Sequence, residues 1–196
     1  MAVHTAPETG TAGIAPPPVA VARMAAGAHT NLPRWEDTPP QADPGGRSFA
    51  VLSFGAQARP VADAWMAEIH RFHAVSWRLH NDSADETVVA KLRQRLSRAT
   101  VGWRLMVAGP EADVLAVSAE ALRHGTLAAE IRAHATSTTR RRVQCVHCGT
   151  AVDVDAEPGA VFPCAGCGHN LLIHHHLSRR LAAYVGFRAD AETTRP

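Results

Sequence analysis

The residues with the clearest chemical potential are four cysteines, which occur as two short pairs. Cys145-Val146-His147-Cys148-Gly149 and Cys164-Ala165-Gly166-Cys167-Gly168 are separated by 15 residues. A Cys-x-x-Cys turn points two thiolates at one ion, and the glycine after it tolerates the positive φ that such a turn tends to need. Two of these knuckles brought together by a short hairpin give tetrahedral four-thiolate ligation, the geometry of structural zinc. Iron is the alternative, because rubredoxin-like centres use the same paired knuckles and soft thiolates alone do not choose between the metals. A redox disulfide would need only one pair, so the duplication counts against it. With four thiolates available, His147 and His169 are read as bystanders. The run His174-His175-His176 cannot turn three consecutive side chains to one side of a strand, so a surface role is expected for it rather than ligation.

These cysteines lie in a chain of 196 residues with 46% apolar and 19% charged residues, enough apolar material for a packed core. The first 47 residues depart from that average. They hold 8 of the 13 prolines in an Ala/Pro/Gly/Thr mixture without apolar period, and are expected to form a disordered tail in which Trp35 is a stray aromatic. No run of 18 apolar residues and no basic, uninterrupted leader are seen, so neither a membrane span nor export is expected, and the reading is cytoplasmic. Net charge is +2, and 19 of the 20 basic residues are Arg. The cluster Arg140-Arg141-Arg142 and the pair Arg179-Arg180 leave a zinc-ribbon nucleic-acid adaptor as an alternative, against which the weak overall charge argues.

The hydropathy pattern after residue 47 reads as alternating strands and helices. Ser48–Phe54 suits a buried strand. Pro60 opens a helix carrying Val61, Trp65, Ile69 and Phe72, followed by a period-2 strand over Ala74–Leu79. Asp82, Asp85 and Glu86 are explained as helix caps before the stripe Val88, Val89, Leu92, Leu96. Trp103–Ala108 is a strand, Glu111–His124 a helix stopped by Gly125, and Leu127–Arg132 a last strand. This order implies a parallel α/β sheet over residues 48–135, joined by a polar linker (His134–Thr139) to a small metal domain at 140–190. In the latter, Leu171–His175 is a strand. Leu177, Leu181, Tyr184 and Val185 follow at helical spacing and, with Phe187, are expected to form a docking surface flanked by Arg179 and Arg180.

Residues 48–135 resemble the nicotinamide-nucleotide module of ferredoxin-reductase-type enzymes. Phe54-Gly55-Ala56-Gln57-Ala58-Arg59-Pro60 stands where that family has Gly-Gly-x-Gly-x-Thr-Pro, and Ala108-Gly109-Pro110 where it has Cys-Gly-Pro. The resemblance implies a Rossmann-like module. Gln57 and Ala108 replace residues that the family places at the phosphates and the nicotinamide, so Gly55, Arg59 and Gly109 are read as a relic nucleotide loop. No catalytic motif is found elsewhere. Over residues 48–190 the chain resembles the small accessory subunit of dimethylamine monooxygenase. That resemblance rests on Gly102–Pro110, the paired knuckles, and the tail His176-Leu177-Ser178-Arg179-Arg180-Leu181-Ala182-Ala183-Tyr184-Val185-Gly186-Phe187. It implies an oxidoreductase complex that turns dimethylamine into methylamine and formaldehyde with O₂ and NADPH. The implied partners are a reductase subunit carrying flavin and an iron–sulfur cluster and a haem oxygenase subunit. This chain would then be a non-catalytic subunit scaffolding the two, or a rubredoxin-like electron carrier between them.

Overall fold

The computed structural model describes residues 31–190. Ser48–Phe54 is β1, and six of its seven residues are buried, as expected of an inner strand covered on both faces. Helix α1 (Arg59–Arg71) has Pro60 in its first turn and buries Ala62, Trp65 and Ile69; Phe72 is instead its exposed C-cap. Strand β2 (Val75–Asn81) leads to α2 (Glu86–Leu96), whose N-cap Asp85 accepts from the Val88 amide at 2.8 Å. Strand β3 (Trp103–Pro110) runs into α3 (Glu111–Arg123), and β4 is Ile131–Ser137. The four strands form an all-parallel sheet in the order β2-β1-β3-β4. Alternation along the inner strands divides the core. Phe49, Val51, Met106 and Ala108 pack on α1, while Leu52, Phe54, Leu105 and Val107 pack under α2 and α3.

The last parallel strand starts later than the hydropathy suggests. A single 3₁₀ turn occupies Ala128–Glu130, and the strand continues through the residues read as a linker. Apolar content located the strand poorly because β4 is a half-buried edge strand whose inward positions include His134. A second sheet follows at once, with β5 (Arg140–Cys145), β6 (Ala151–Asp155), β7 (Val161–Pro163), β8 (Asn170–Ser178) and β9 (Ala183–Arg188) in the order β6-β5-β9-β8-β7.

Two further expectations are corrected. The stripe Leu177-Leu181-Tyr184-Val185 is not a helix. Leu177 pairs with Tyr184 and Ser178 with Ala183 across a hairpin whose turn closes through Ala182 at φ 52. The local run Arg-Arg-Leu-Ala-Ala favours a helix, but cross-strand pairing and the burial of Leu177 and Tyr184 override it. Nor are residues 31–47 a loose tail; the rest of that segment, 1–30, lies outside the described residues. Asn31 brackets Leu177 with two hydrogen bonds, Nδ2 donating to its carbonyl at 2.7 Å and Oδ1 accepting from its amide at 2.8 Å. Trp35 donates from Nε1 to Glu111 at 3.1 Å, and Trp65 donates to the Pro40 carbonyl at 2.7 Å. Ala42 is buried, and Asp43 pairs with Arg104 at 2.6 Å, which holds the Asp43 carboxyl below its ordinary value. Proline-rich sequence here is an extended arm, shaped by long-range contacts that carry no periodic signal.

Helix α3 lies between the two sheets. Val114, Val117 and Ala121 enter the first core, and Leu115 packs on the cluster of Val143, Ile173, Leu177 and Tyr184 in the second. It also buries three carboxylates, Glu111, Asp113 and Glu120. Buried acids must be paired, and each of these is. Tyr184 donates its hydroxyl to Glu111 at 2.9 Å, Arg140 pairs with Asp113 at 2.8 Å, and Arg93, Arg123 and His124 surround Glu120.

Candidate metal centre

Both knuckles use the same backbone scheme. The Cys145 amide donates to the Thr150 carbonyl at 2.9 Å and the Gly149 amide to the Cys145 carbonyl at 2.9 Å. The second knuckle repeats this, with Cys164 to His169 at 2.8 Å and Gly168 to Cys164 at 2.9 Å. Gly149 (φ 75) and Gly168 (φ 74) close the two turns in the left-handed region that glycine enters without a Cβ penalty. At Gly166 the demand is space, since a Cβ there would lie 2.2 Å from the Thr150 hydroxyl and 3.0 Å from the Cys148 sulfur.

The hairpin geometry brings all four sulfurs within 4.8 Å of one another. Cys145 and Cys167 lie 3.9 Å apart and Cys148 and Cys164 3.7 Å apart. A tetrahedron with metal–sulfur bonds of about 2.3 Å has edges of about 3.8 Å, so the donor set fits one metal ion. Its electrostatics ask for a cation. The Thr150 hydroxyl and amide beside Cys148 pull that thiol down to about 6. At Cys167 the His169 amide favours the thiolate, yet desolvation and the neighbouring sulfurs push the thiol up to about 12. Four thiolates this close repel one another unless a cation sits among them. Cys145 and Cys164 are buried, Cys167 is half-buried and Cys148 is exposed.

The rings of His147 and His169 meet edge to face at 4.6 Å, and both lie beside Cys167. Spacing had not paired them, because His147 lies inside its knuckle, where the second has Gly166, and His169 follows its own, where the first has Thr150. The His174–His176 run falls where the β8–β9 register shifts, with His174 against Phe187 at 5.4 Å, and among the described residues none of the three joins a potential ligand group.

The basic cluster is largely consumed inside the molecule. Arg140 holds Asp113, and buried Arg141 pairs with Glu157 at 2.8 Å and faces Glu111 at 3.6 Å, leaving Arg142 exposed. That removes the footprint a nucleic-acid adaptor would use. The expected docking surface is reduced in the same way: Leu177 and Tyr184 are buried against α3, and Leu181 remains exposed in the turn beside Arg179 and Arg180.

At the carboxyl ends of the parallel strands, Gly55 has φ 70 and Arg59 begins α1. Gly109 lets β3 approach β1 closely, since a Cβ there would meet Phe54 Cβ at 2.7 Å. A cleft of about 610 Å³ opens at this end, with Gln57 in its wall. Arg59 and Gly109 are not among its lining residues.

Residues 142–187 match the family described as dimethylamine monooxygenase subunit DmmA-like, C-terminal domain. This stretch is similar to that C-terminal domain. It contains all four cysteines and the β8–β9 hairpin, so the sequence resemblance to that accessory subunit is borne out. The chain is also similar to the heme-dependent oxidative N-demethylase delta subunit of Ectopseudomonas mendocina (strain ymp), at 40% identity over 101 residues. That match spans 52% of this chain and 57% of the relative. No solved structure matches. Among the described residues, no helix is long and apolar enough to cross a membrane.

Proposed function

We propose that this chain is a non-catalytic subunit of an oxidative N-demethylating monooxygenase acting on dimethylamine, and that it joins a flavin- and iron–sulfur-bearing reductase subunit to a haem oxygenase subunit. The likeness to a delta subunit of a heme-dependent N-demethylase supports membership of such a complex. The absence of a nucleophile–base constellation in the sequence agrees with a supporting role.

One observation carries the reading: a four-sulfur cluster on a DmmA-like domain that α3 locks to an α/β module. In it Cys145, Cys148, Cys164 and Cys167 hold a structural Zn²⁺ as a zinc ribbon, and ligation completes a sheet too small to hold its own knuckles. The α/β module is a Rossmann-like relic in which Gln57 stands in the phosphate loop. Among the described residues, no Lys or Arg lines the cleft at that loop, which supports loss of NADPH binding.

A second reading has one observation in its favour. Cys148 is exposed, so an iron held here would lie close to solvent and to a partner's redox group, as a rubredoxin-like carrier requires. Co-expression of the full chain with the reductase and oxygenase subunits, followed by co-purification and metal analysis, tests both. A colourless chain with one zinc, retained by both partners, is the expected result. Red protein with one iron supports the carrier reading, and a chain retained by neither partner overturns the subunit assignment.

A further inference from the structure

The two knuckles repeat one another in their backbone, and their side chains depart from that repeat in a patterned way. Cys145–Thr150 corresponds residue for residue to Cys164–His169, with His147 standing against Gly166 and Thr150 against His169. Beside Cys148 the flanking pair is Thr150 and Gly166. The Thr150 hydroxyl lies 3.3 Å from the Cys148 sulfur, and a Cβ on Gly166 would meet that hydroxyl at 2.2 Å, so the space there is closed. Beside Cys167 the equivalent pair is His169 and His147. Their rings meet at 4.6 Å, and a nitrogen of each lies within 4.8 Å of the other and of the Cys167 sulfur.

Two imidazoles and a thiolate are a donor set for a borderline-soft metal, not for magnesium or calcium. A zinc-type ion held at about 2.0–2.1 Å by nitrogen and 2.3 Å by sulfur sets its donors about 3.3–3.6 Å apart. Rotation of exposed His147 and half-buried His169 reaches that separation. Charge favours the same occupant. Four thiolates around one divalent ion leave negative charge uncompensated, and a thiolate bound to one metal keeps lone pairs with which to bridge to another.

We infer that His147, Cys167 and His169 form a second metal site. The Cys167 thiolate bridges the ion of the four-cysteine centre to a second, zinc-type ion held by the two imidazoles. With three protein ligands, the second ion keeps a fourth position for water. Cys148, flanked by a hydroxyl and a glycine, offers no such set. The inference rests on the four-cysteine centre holding a metal, as proposed above.

The test is a titration of the full chain, stripped of metal under reducing conditions, with ¹¹³Cd²⁺ followed by cadmium NMR. Two equivalents are expected to bind. The first gives a signal at the low-field position of four sulfur donors. The second appears at higher field, where nitrogen replaces sulfur, and is split by coupling to the first through the shared Cys167 sulfur. Titration with Zn²⁺, read by native mass spectrometry, should reach the same two ions per chain. His147→Ala and His169→Ala should each lose the second signal and keep the first, whose persistence shows that the knuckles still fold around their ion. The double variant His147→Gly/His169→Thr, which gives Cys167 the neighbours that Cys148 has, should do the same. One ion per chain at saturation overturns the inference and leaves the four-cysteine reading intact, whereas no bound ion overturns both. A second signal that is uncoupled from the first, or that survives the histidine variants, places the ion elsewhere and overturns the inference as well.

Discussion

The two sheets solve the same problem by opposite means. In the parallel sheet, β1 and β3 are covered on both faces, and Val51, Leu52, Leu105, Met106 and Val107 have no exposed surface at all. In the second sheet the buried apolar side chains of the core are few, mainly Val143, Leu171, Ile173, Leu177 and Tyr184, and the knuckle end is lined by sulfur. The acidic face of α3 supports this sheet along its side, and on the reading proposed above a metal held by the four cysteines supports it at one end. The first region is stabilised by solvent exclusion. The second depends on charge placed where water is absent, and such contacts fail abruptly when one partner is removed.

The largest test of this difference is at the cysteines. Cys145→Ser or Cys164→Ser should abolish protection of β5–β9 in hydrogen exchange while β1–β4 keep theirs. Apparent metal-binding free energies in small fingers are about 10–16 kcal/mol, more than such a sheet can replace. Retained protection in a metal-free variant would show that apolar burial suffices there. Next in size is Glu111, which joins the arm, α3 and β9 through Trp35, Tyr184 and the neighbouring Arg141. Glu111→Ala leaves buried Arg141 facing an empty position and should cost about 3–5 kcal/mol. Tyr184→Phe removes one hydrogen bond and should cost about 1–2 kcal/mol. Urea unfolding measures both. Equal effects would mean that the contact is packing and not charge.

The comparison also explains what the sequence disclosed. The parallel module was legible because burial on two faces imposes periodicity: β1, β2, α1 and α2 fall within a residue or two of their expected positions. The knuckles were legible because ligand spacing is local. What failed was set by distant partners. Leu177 and Tyr184 form an apparent helical stripe by coincidence of spacing, and only the pairing of β8 with β9 reveals them as opposite strand residues. Trp35 is unremarkable in a proline-rich segment until Glu111, 76 positions on, accepts its N–H. Nothing local in the sequence signals that the three acids of α3 are buried, because the second sheet that covers them follows later in the chain.

Glu120 offers a milder, pH-dependent test. Its burial favours the neutral acid, but hydrogen bonds from Arg93 and Arg123 outweigh that and hold the carboxyl at about 2, below its ordinary 4.5. A depressed carboxylate contributes its stability in full above the unfolded value and loses it as pH falls from about 4.5 toward 2. The two arginines are nearly half exposed, so the contribution is about 1–2 kcal/mol rather than the full shift. Thermal melts of the native chain and Glu120→Gln should therefore differ most above pH 5 and converge near pH 2. A constant difference across that range would mean that Glu120 acts by shape alone.

The smallest expected effect on stability separates packing from docking in the C-terminal hairpin. Leu181 is 49% exposed in the turn between β8 and β9, whereas Tyr184, three residues on, is 3% exposed and bound to Glu111. Substitution at an exposed turn position should change stability by less than about 0.5 kcal/mol, so Leu181→Asp should melt with the native chain. Tyr184→Asp should not, because it sets a second carboxylate against Glu111 in the buried seam. Any docking role of this hairpin therefore rests on Leu181, Arg179 and Arg180, and the single variant is the clean probe of it. Co-purification of Leu181→Asp with the proposed reductase and oxygenase subunits is the measurement. Loss of a partner with an unchanged melt assigns the turn to docking. Normal assembly assigns the hairpin wholly to the seam with α3 and moves the search for the partner surface to the exposed knuckles around Val146 and Cys148.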